Sequence, residues 1–181
     1  MPTTYSALET LLATTMAVFS GFGGVTFWTF HVGNYRTFII TFQQRPEKSN
    51  DGYIKVCDDR GDGLTTYFLS PAQFNGDLNS FTHLKLSLKS EGGDYYWSKP
   101  DIRIKNKTAS AEYSFSRRPK ETWETFLVSL KNNQGWVIKG ENGTTLKNIL
   151  ENATTFEIRA EYGKGPNPDC TGLDDVLLIK N

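Results

Sequence analysis

The fold class of this chain is decided by Thr155-Phe156-Glu157-Ile158-Arg159-Ala160-Glu161-Tyr162 and by Gly172-Leu173-Asp174-Asp175-Val176-Leu177-Leu178 near its C-terminus. In the first segment, apolar and charged side chains alternate strictly from Phe156 onward. A period of two residues is typical of a β-strand that rests one face on the core. We therefore expect a strand whose outer face, formed by Glu157, Arg159 and Glu161, lies in solvent.

The second segment is predicted to be a closing strand that opens with two adjacent carboxylates, Asp174 and Asp175. Two adjacent aspartates do little to stabilise a solvent-exposed strand, whereas their carboxylate oxygens are ligands that a hard cation such as calcium prefers. The pattern therefore predicts a structural metal site where the last strand begins. An aspartate can equally cap neighbouring backbone amides at a strand end, and strand alternation places Asp175 on the opposite face, in solvent.

Short alternating segments fill the rest of the chain and are separated by turns rich in Gly, Asn and Asp. They lie at residues 38–42, 54–56, 84–88, 102–104, 113–115 and 126–130. Two short helices are also indicated, one at Ser70-Pro71-Ala72-Gln73 and one from about Thr145, with Leu146, Ile149 and Leu150 on one face. Many short strands at this spacing favour an all-β fold, an antiparallel β-sandwich or barrel, over a parallel α/β sheet.

The first 20 residues form a separate N-terminal segment, and residues 21–181 are predicted to be a single domain, which suits a chain of 181 residues. Residues 11–19 resemble a weak secretory signal, although no Lys or Arg precedes them and Glu9 does. The same segment also fits a helix that carries Leu8, Leu11, Leu12 and Met16 on one face. No apolar run reaches the ~18 residues that a membrane span needs.

Composition excludes some function classes. Lys+Arg and Asp+Glu both number 20, so the basic excess typical of a nucleic-acid binder is missing. His31 and His83 belong to no recognisable triad, and Glu157 and Glu161 are about 13 Å apart on one strand face. That exceeds the ~5–9.5 Å that paired carboxylates need for glycoside hydrolysis. We therefore expect no catalysis.

The two cysteines, Cys57 and Cys170, leave two alternatives open: a disulfide that closes a long loop in a secreted module, or two unpaired thiols. Their spacing excludes a CxxC motif. Three Asn-x-Thr acceptors, at Asn106, Asn142 and Asn152, permit glycosylation without showing it.

Tyr95, Tyr96 and Trp97 follow a Gly-Gly turn and are candidates for stacking on sugar rings, although at least one of them equally suits the core. Arg60-Gly61-Asp62 matches an integrin-type tripeptide, but matches of three residues arise often by chance. A solvated turn is the expected role of that segment.

The ordered set Asn50-Asp51-Gly52-Tyr53-Ile54, Tyr67-Phe68-Leu69-Ser70-Pro71-Ala72-Gln73-Phe74-Asn75-Gly76-Asp77, Trp123, Gly135-Trp136, Ile158-Arg159-Ala160-Glu161-Tyr162 and Gly172-Leu173-Asp174-Asp175-Val176 resembles the laminin B domain, also called laminin IV type A. The resemblance spans residues 50–181. It implies an extracellular jelly-roll sandwich related to carbohydrate-binding modules, without catalytic activity. It also implies calcium where the final strand meets the first, with Asp174 among the ligands.

This chain departs from the family at its first strand, where Gly24-Val25-Thr26-Phe27-Trp28 lacks the usual acidic residue. The other calcium ligands are therefore left unassigned. We expect a secreted module for adhesion or matrix architecture, with a matrix protein or a glycan as partner. The alternative is a carbohydrate-binding module that uses Tyr95, Tyr96 and Trp97.

Overall fold

The computed structural model describes residues 16–20, 24–31, 39–44, 52–58, 65–70, 74–92, 99–163 and 169–180, with backbone alone up to residue 44 and at Asp58. These residues form the strands β1 Met16–Ser20, β2 Gly24–His31, β3 Ile39–Gln44, β4 Gly52–Asp58, β5 Tyr67–Leu69, β6 Phe81–Glu91, β7 Ile102–Lys105, β8 Ser110–Tyr113, β9 Glu124–Ser129, β10 Trp136–Lys139, β11 Thr155–Arg159 and β12 Asp169–Lys180. The helix α1 covers Leu146–Leu150.

The strands form two antiparallel sheets. The seven-stranded sheet has the order β1-β2-β5-β11-β7-β8-β10, and the five-stranded sheet has the order β3-β4-β12-β6-β9. Every pairing between named strands is antiparallel. The all-β, antiparallel sandwich predicted from the sequence is confirmed.

The core lies between the two sheets and is built from the apolar faces that the alternation predicted. Leu84, Leu86 and Leu88 on β6 are fully buried, as are Phe156 and Ile158 on β11. At ~25 cal/mol per Å² of apolar surface, these faces supply the main stabilisation of the sandwich.

The helix predicted from Thr145 is confirmed. The Thr145 side chain accepts the backbone N–H of Asn148, and the Asn148 side chain accepts the backbone N–H of Thr145, so the two residues form a reciprocal cap. Leu146, Ile149 and Leu150 face the core. Of the helix predicted at residues 70–73, positions 71–73 lie outside the described residues.

The N-terminal prediction needs a correction. Met16 does not lie on a helix, because β1 forms an antiparallel pair with β2 in which Met16 is opposite Trp28. Pairing satisfies the backbone groups of this short segment, whereas a short isolated helix is marginal in water. The predicted boundary at residue 20 therefore falls inside a β-hairpin. Residues 1–15 lie outside the described residues. No helix in the described part of the chain is long and apolar enough to cross a membrane.

The predicted solvent-exposed face of β11 is wrong. Glu157, Arg159 and Glu161 are at most 5% exposed, and Arg159 is fully buried. The reason is that β11 lies centrally, between β5 and β7, and the Arg159 side chain is enclosed by the carbonyls of Lys99 and Glu161, to which it donates hydrogen bonds. Burying charged side chains is costly unless they are paired or hydrogen-bonded. Each of these three side chains has such partners.

A β-bulge interrupts β12 directly after Asp174, so that Asp175 lies within it. Asp174 is opposite Ser87 on β6, but Leu177 is opposite Lys85, so β12 contains one extra residue there. Asp175 has φ of 50° and is exposed. The extra residue changes which side chains face inward, because Leu173 packs into the core before the bulge and Leu178 packs against it afterwards.

Cys57 on β4 and Cys170 on β12 are opposite each other in the sheet and are joined by a disulfide. Their sequence separation is 113 residues. The bond therefore links β4 covalently to its neighbour β12, the last strand of the chain.

Candidate binding face

The outer side of the seven-stranded sheet carries a row of charged side chains, which we call the charged face. Sheet register creates it, since Glu157 on β11 is opposite Arg103 on β7, and Arg103 is opposite Glu112 on β8. The charged face consists of Tyr67, Arg103, Lys105, Glu112, Lys139 and Glu157.

Cations and carboxylates alternate along this row and bind each other. Lys105 Nζ lies 2.6 Å from Glu157 Oε1, and Arg103 Nη1 donates to Glu157 Oε2 over 2.9 Å. Arg103 Nε donates to Glu112 Oε1 over 3.3 Å, and Lys139 Nζ lies 2.7 Å from Glu112 Oε2. Each carboxylate therefore contacts two cations, and the row carries one net positive charge.

Tyr67 holds the inner end of the row. The Arg103 guanidinium lies 4.7 Å from the Tyr67 ring centre, and its Nη2 donates to the Tyr67 hydroxyl over 3.2 Å. The hydroxyl in turn donates to the carbonyl oxygen of Pro100. Burial raises the pKa of Tyr67 to about 12, against the opposing effect of Arg103 and Arg159.

Beside the row, Arg159 anchors the segment 99–101. Its Nε donates to the Glu161 carbonyl over 2.6 Å, and its Nη1 donates to the Lys99 carbonyl over 3.2 Å. Asp101 lies 3.7 Å from the same guanidinium and accepts the Phe115 N–H over 2.7 Å. Burial raises the pKa of Asp101, while the Phe115 N–H and Arg159 oppose the shift. The segment that follows residues 93–98 is thereby fixed to the sheet.

The charged face is most accessible at β10. The side chain of Glu157 is 6% exposed and that of Arg103 is 21% exposed, whereas that of Lys139 is 61% exposed. A partner that approaches over β8 and β10 therefore meets ordered charged groups, with Lys139 outermost.

The charged face contains none of the ligand-binding or metal-binding residues that the sequence predicted. Tyr95, Tyr96 and Trp97, the candidate ligand-binding residues, lie outside the described residues, as does Arg60-Gly61-Asp62. The chain re-enters the described part at Lys99 and Pro100, whose carbonyls bind Arg159 and Tyr67 at the inner end of the charged face. Asp174 lies in the other sheet, at the bulge.

The described part of the chain places no cluster of metal-ligating side chains around Asp174. Its Oδ1 accepts the N–H of Asp175 over 2.7 Å, which is the amide cap foreseen as an alternative. In the described ranges, no group of three His, Cys, Asp or Glu side chains could hold a metal ion. The strands next to β12 are β4 and β6, while β1 and β2 belong to the seven-stranded sheet. Calcium therefore stays a prediction.

Sequence reasoning missed Arg103, Glu112 and Lys139 as site residues. The sequence does show that Arg103 and Lys105 share the polar face of one strand, since they alternate with Ile102 and Ile104. It does not show which carboxylates lie next to them. Which charges meet depends on the order of strands in the sheet, and single-strand alternation does not contain that order.

Chemically, the charged face offers fixed hydrogen-bond donors and acceptors. Its carboxylates are each neutralised by two cations, an arrangement that suits recognition of polar or charged groups more than proton transfer. The side chains are held by one another through ion pairs and hydrogen bonds, so they are already ordered before any partner arrives.

The fold is similar to solved structures of low sequence identity. The L4b domain of human laminin alpha-2 aligns with a TM-score of 0.57 and 14% identity, over 85% of this chain and 97% of that chain. A family 11 carbohydrate-binding module of a cellulosomal cellulase of Clostridium thermocellum aligns with a TM-score of 0.60 and 12% identity, over 94% and 96%. A family 11 module from the same organism, in complex with a β-1,3-1,4-mixed-linked tetrasaccharide, aligns with a TM-score of 0.57 and 16% identity, over 93% and 98%.

No protein-family model matches the chain, and no curated protein matches it. At these identities the structural likeness establishes a fold shared with laminin and carbohydrate-binding domains. It does not assign the chain to either family.

Proposed function

We propose that this chain is a non-catalytic extracellular module, similar to the laminin B type, which serves adhesion or matrix architecture. Its binding surface is the charged face, and its partner is a matrix protein. The fold likeness to a laminin domain supports the class of protein. The disulfide between Cys57 and Cys170 fits an oxidising, extracellular compartment.

The single observation that carries the proposal is the interlocked row of Arg103, Glu112 and Glu157. Ordering a free long side chain at an interface costs about 0.5–1.5 kcal/mol, and this row is already held in place by its ion pairs. Charge complementarity then selects the partner, mainly through orientation and association rate. A protein partner with complementary charges fits such a surface.

A second candidate function is glycan binding, and one observation favours it. The carbonyls of Lys99 and Pro100, just after Tyr95, Tyr96 and Trp97, are bound to the inner end of the charged face. The Tyr67 ring is covered by Arg103, so stacking on a sugar would fall to those three aromatics. One of the similar modules was solved with a tetrasaccharide.

The experiment is a binding screen against immobilised matrix proteins and a glycan array. Lys139→Glu reverses the most accessible charge of the charged face, and Lys147→Glu, on the exposed side of α1, is the matched control. We expect a matrix protein to bind the wild type and the control, and Lys139→Glu to lose that binding. Binding to glycans alone would replace the first candidate with the second, and binding to neither would overturn both.

We keep a structural calcium ion at Asp174 as a separate proposal, motivated by the resemblance at Gly172-Leu173-Asp174-Asp175-Val176. A ligand present at a hundred-fold excess over its Kd stabilises the fold by about 2.7 kcal/mol. Melting in calcium and in a chelator tests it directly: equal melting temperatures in the two buffers would remove calcium from the account.

A further inference from the structure

We propose that strand β9 binds an extended, acidic peptide segment of another protein, which adds to the five-stranded sheet as a further strand. This surface is separate from the charged face, which lies on the other sheet. Three features carry the inference: the free backbone edge of β9, the groove beside it, and the charge around it.

Among the strands that the structure describes, none pairs with the second backbone edge of β9. The strand lies last in the five-stranded sheet, and within the described ranges β6 is its sole neighbour. The N–H of Leu130 donates to the carbonyl of Thr82 across this ladder. In an antiparallel ladder the direction of these groups alternates, so Phe126 and Val128 also bond to β6, while Thr125, Leu127 and Ser129 direct theirs outward.

The structure supports this alternation at Ser129. Its carbonyl oxygen accepts the indole N–H of Trp136 over 2.9 Å, which requires it to point away from β6. Thr125 and Leu127 then present two N–H groups and two carbonyls to an incoming chain. Such an edge is the template for strand addition, in which main-chain hydrogen bonds supply affinity.

A groove runs along this edge, between β9 and the segment that follows β8. It is lined by Phe115, Ser116, Arg117, Thr125 and Leu127, among others, and its volume is about 180 Å³. That volume is below the ~300–1,000 Å³ of sites for free small molecules. It suits short side chains projecting from a docked strand, and two of its lining residues, Phe115 and Phe126, stack on each other at 4.1 Å.

The charge around β9 is basic. Between residues 116 and 131 the sequence contains four cationic residues, Arg117, Arg118, Lys120 and Lys131, and two acidic ones, Glu121 and Glu124. Arg117 stands at the groove, with a side chain that is 61% exposed and a guanidinium 5.7 Å from the Phe126 ring. An acidic segment complements this environment, and Leu127, which is 60% exposed, offers apolar contact.

A second copy of the chain is the alternative occupant of this edge. Antiparallel pairing of two β9 strands would set the start of one strand, at Glu124, against the end of the other, near Lys131. Because the four cations between residues 116 and 131 outnumber the two acids, a strand that carries only acidic side chains complements this edge better than a second β9 does.

The test uses a labelled synthetic peptide of alternating Asp and Val, with an alternating Lys and Val peptide of equal length as the matched probe. Fluorescence anisotropy is expected to show binding of the Asp peptide alone, weakening as salt is raised. Arg117→Glu should weaken binding about tenfold or more, whereas Lys139→Glu, on the charged face, should leave it unchanged. No binding of the Asp peptide, or equal binding by Arg117→Glu, overturns the proposal.

Backbone pairing is tested separately. Leu127→Pro removes an outward N–H and leaves the ladder to β6 intact, a position where proline is tolerated on edge strands. We expect the variant to melt as a folded protein and to lose peptide binding. Should it fail to fold, amide exchange of the wild type decides: the peptide must protect the amides of Thr125 and Leu127, and protection elsewhere overturns the proposal. A concentration-dependent dimer that blocks the peptide would also overturn it, by assigning the edge to a second copy.

Discussion

Arg103 and Glu157 occupy opposed positions on neighbouring strands, and the guanidinium Nη1 donates to the carboxylate Oε2 over 2.9 Å. The pair lies at the centre of the charged face, and each member has a second partner, Glu112 for Arg103 and Lys105 for Glu157. Because the partners are shared, loss of one side chain weakens the ion pairs and hydrogen bonds of its neighbours in the row.

We expect Glu157→Gln to lower the free energy of unfolding by about 1–3 kcal/mol, because it leaves Arg103 and Lys105 short of a charged acceptor. Arg103→Met should have a similar cost, since Glu157 is only 6% exposed. Denaturant unfolding of both variants and of the double mutant measures the coupling. A coupling energy of zero would show that the two side chains are near each other without stabilising the fold.

The bulge in β12 gives a second expectation. Asp175 has φ of 50°, a backbone region that costs most side chains about 1–2 kcal/mol. Asp175→Gly should therefore retain or raise stability, and Asp175→Val should lower it by about 1–2 kcal/mol. Thermal melts of both variants, in calcium and in a chelator, provide the measurement. If glycine destabilises and valine does not, the conformation assigned to Asp175 is wrong.

Alkaline pH should destabilise the fold through Tyr67. Its folded pKa of about 12 lies above the usual tyrosine value of 10.0, so the folded chain holds the phenolic proton more tightly than the unfolded chain. The contribution is fully present below pH 10.0 and is lost as pH rises towards about 12. Tyr67→Phe cannot lose this proton, so its stability should fall less over that range. Identical pH profiles for the two proteins would refute the assignment.

Reduction of the disulfide should destabilise the sandwich strongly. The bond closes a loop with a sequence separation of 113 residues, which corresponds to about 3–5 kcal/mol in the chain-entropy model. Intact mass before and after reduction tests the bond itself, and unfolding of the Cys57→Ser, Cys170→Ser double variant tests its contribution. A native mass that indicates two free thiols would exclude the bond.

Much of the fold follows from local sequence pattern. Leu84, Leu86 and Leu88 specify the buried face of β6, and Thr145 with Asn148 marks the start of α1. These features depend on residues close in sequence, where side-chain period and capping chemistry act directly.

Other features depended on sheet order and could not be seen in one strand. Alternation at Glu157, Arg159 and Glu161 shows that the strand has two faces, but it does not show that side chains of neighbouring strands bury the charged one. The bulge in β12 could not be predicted from the sequence either. Two adjacent aspartates are compatible with a metal site, and they are equally compatible with a bulge in which Asp175 adopts a left-handed backbone conformation. The charged face required knowing that β11, β7 and β8 are neighbours.

The most direct test of the central claim is amide hydrogen exchange with the strongest binder from the screen of matrix proteins and glycans. We expect exchange to slow at the amides of β7, β8 and β10, the strands that carry Arg103, Glu112 and Lys139. Protection confined to the five-stranded sheet, or no binder at all, would contradict the assignment of the charged face as the binding surface.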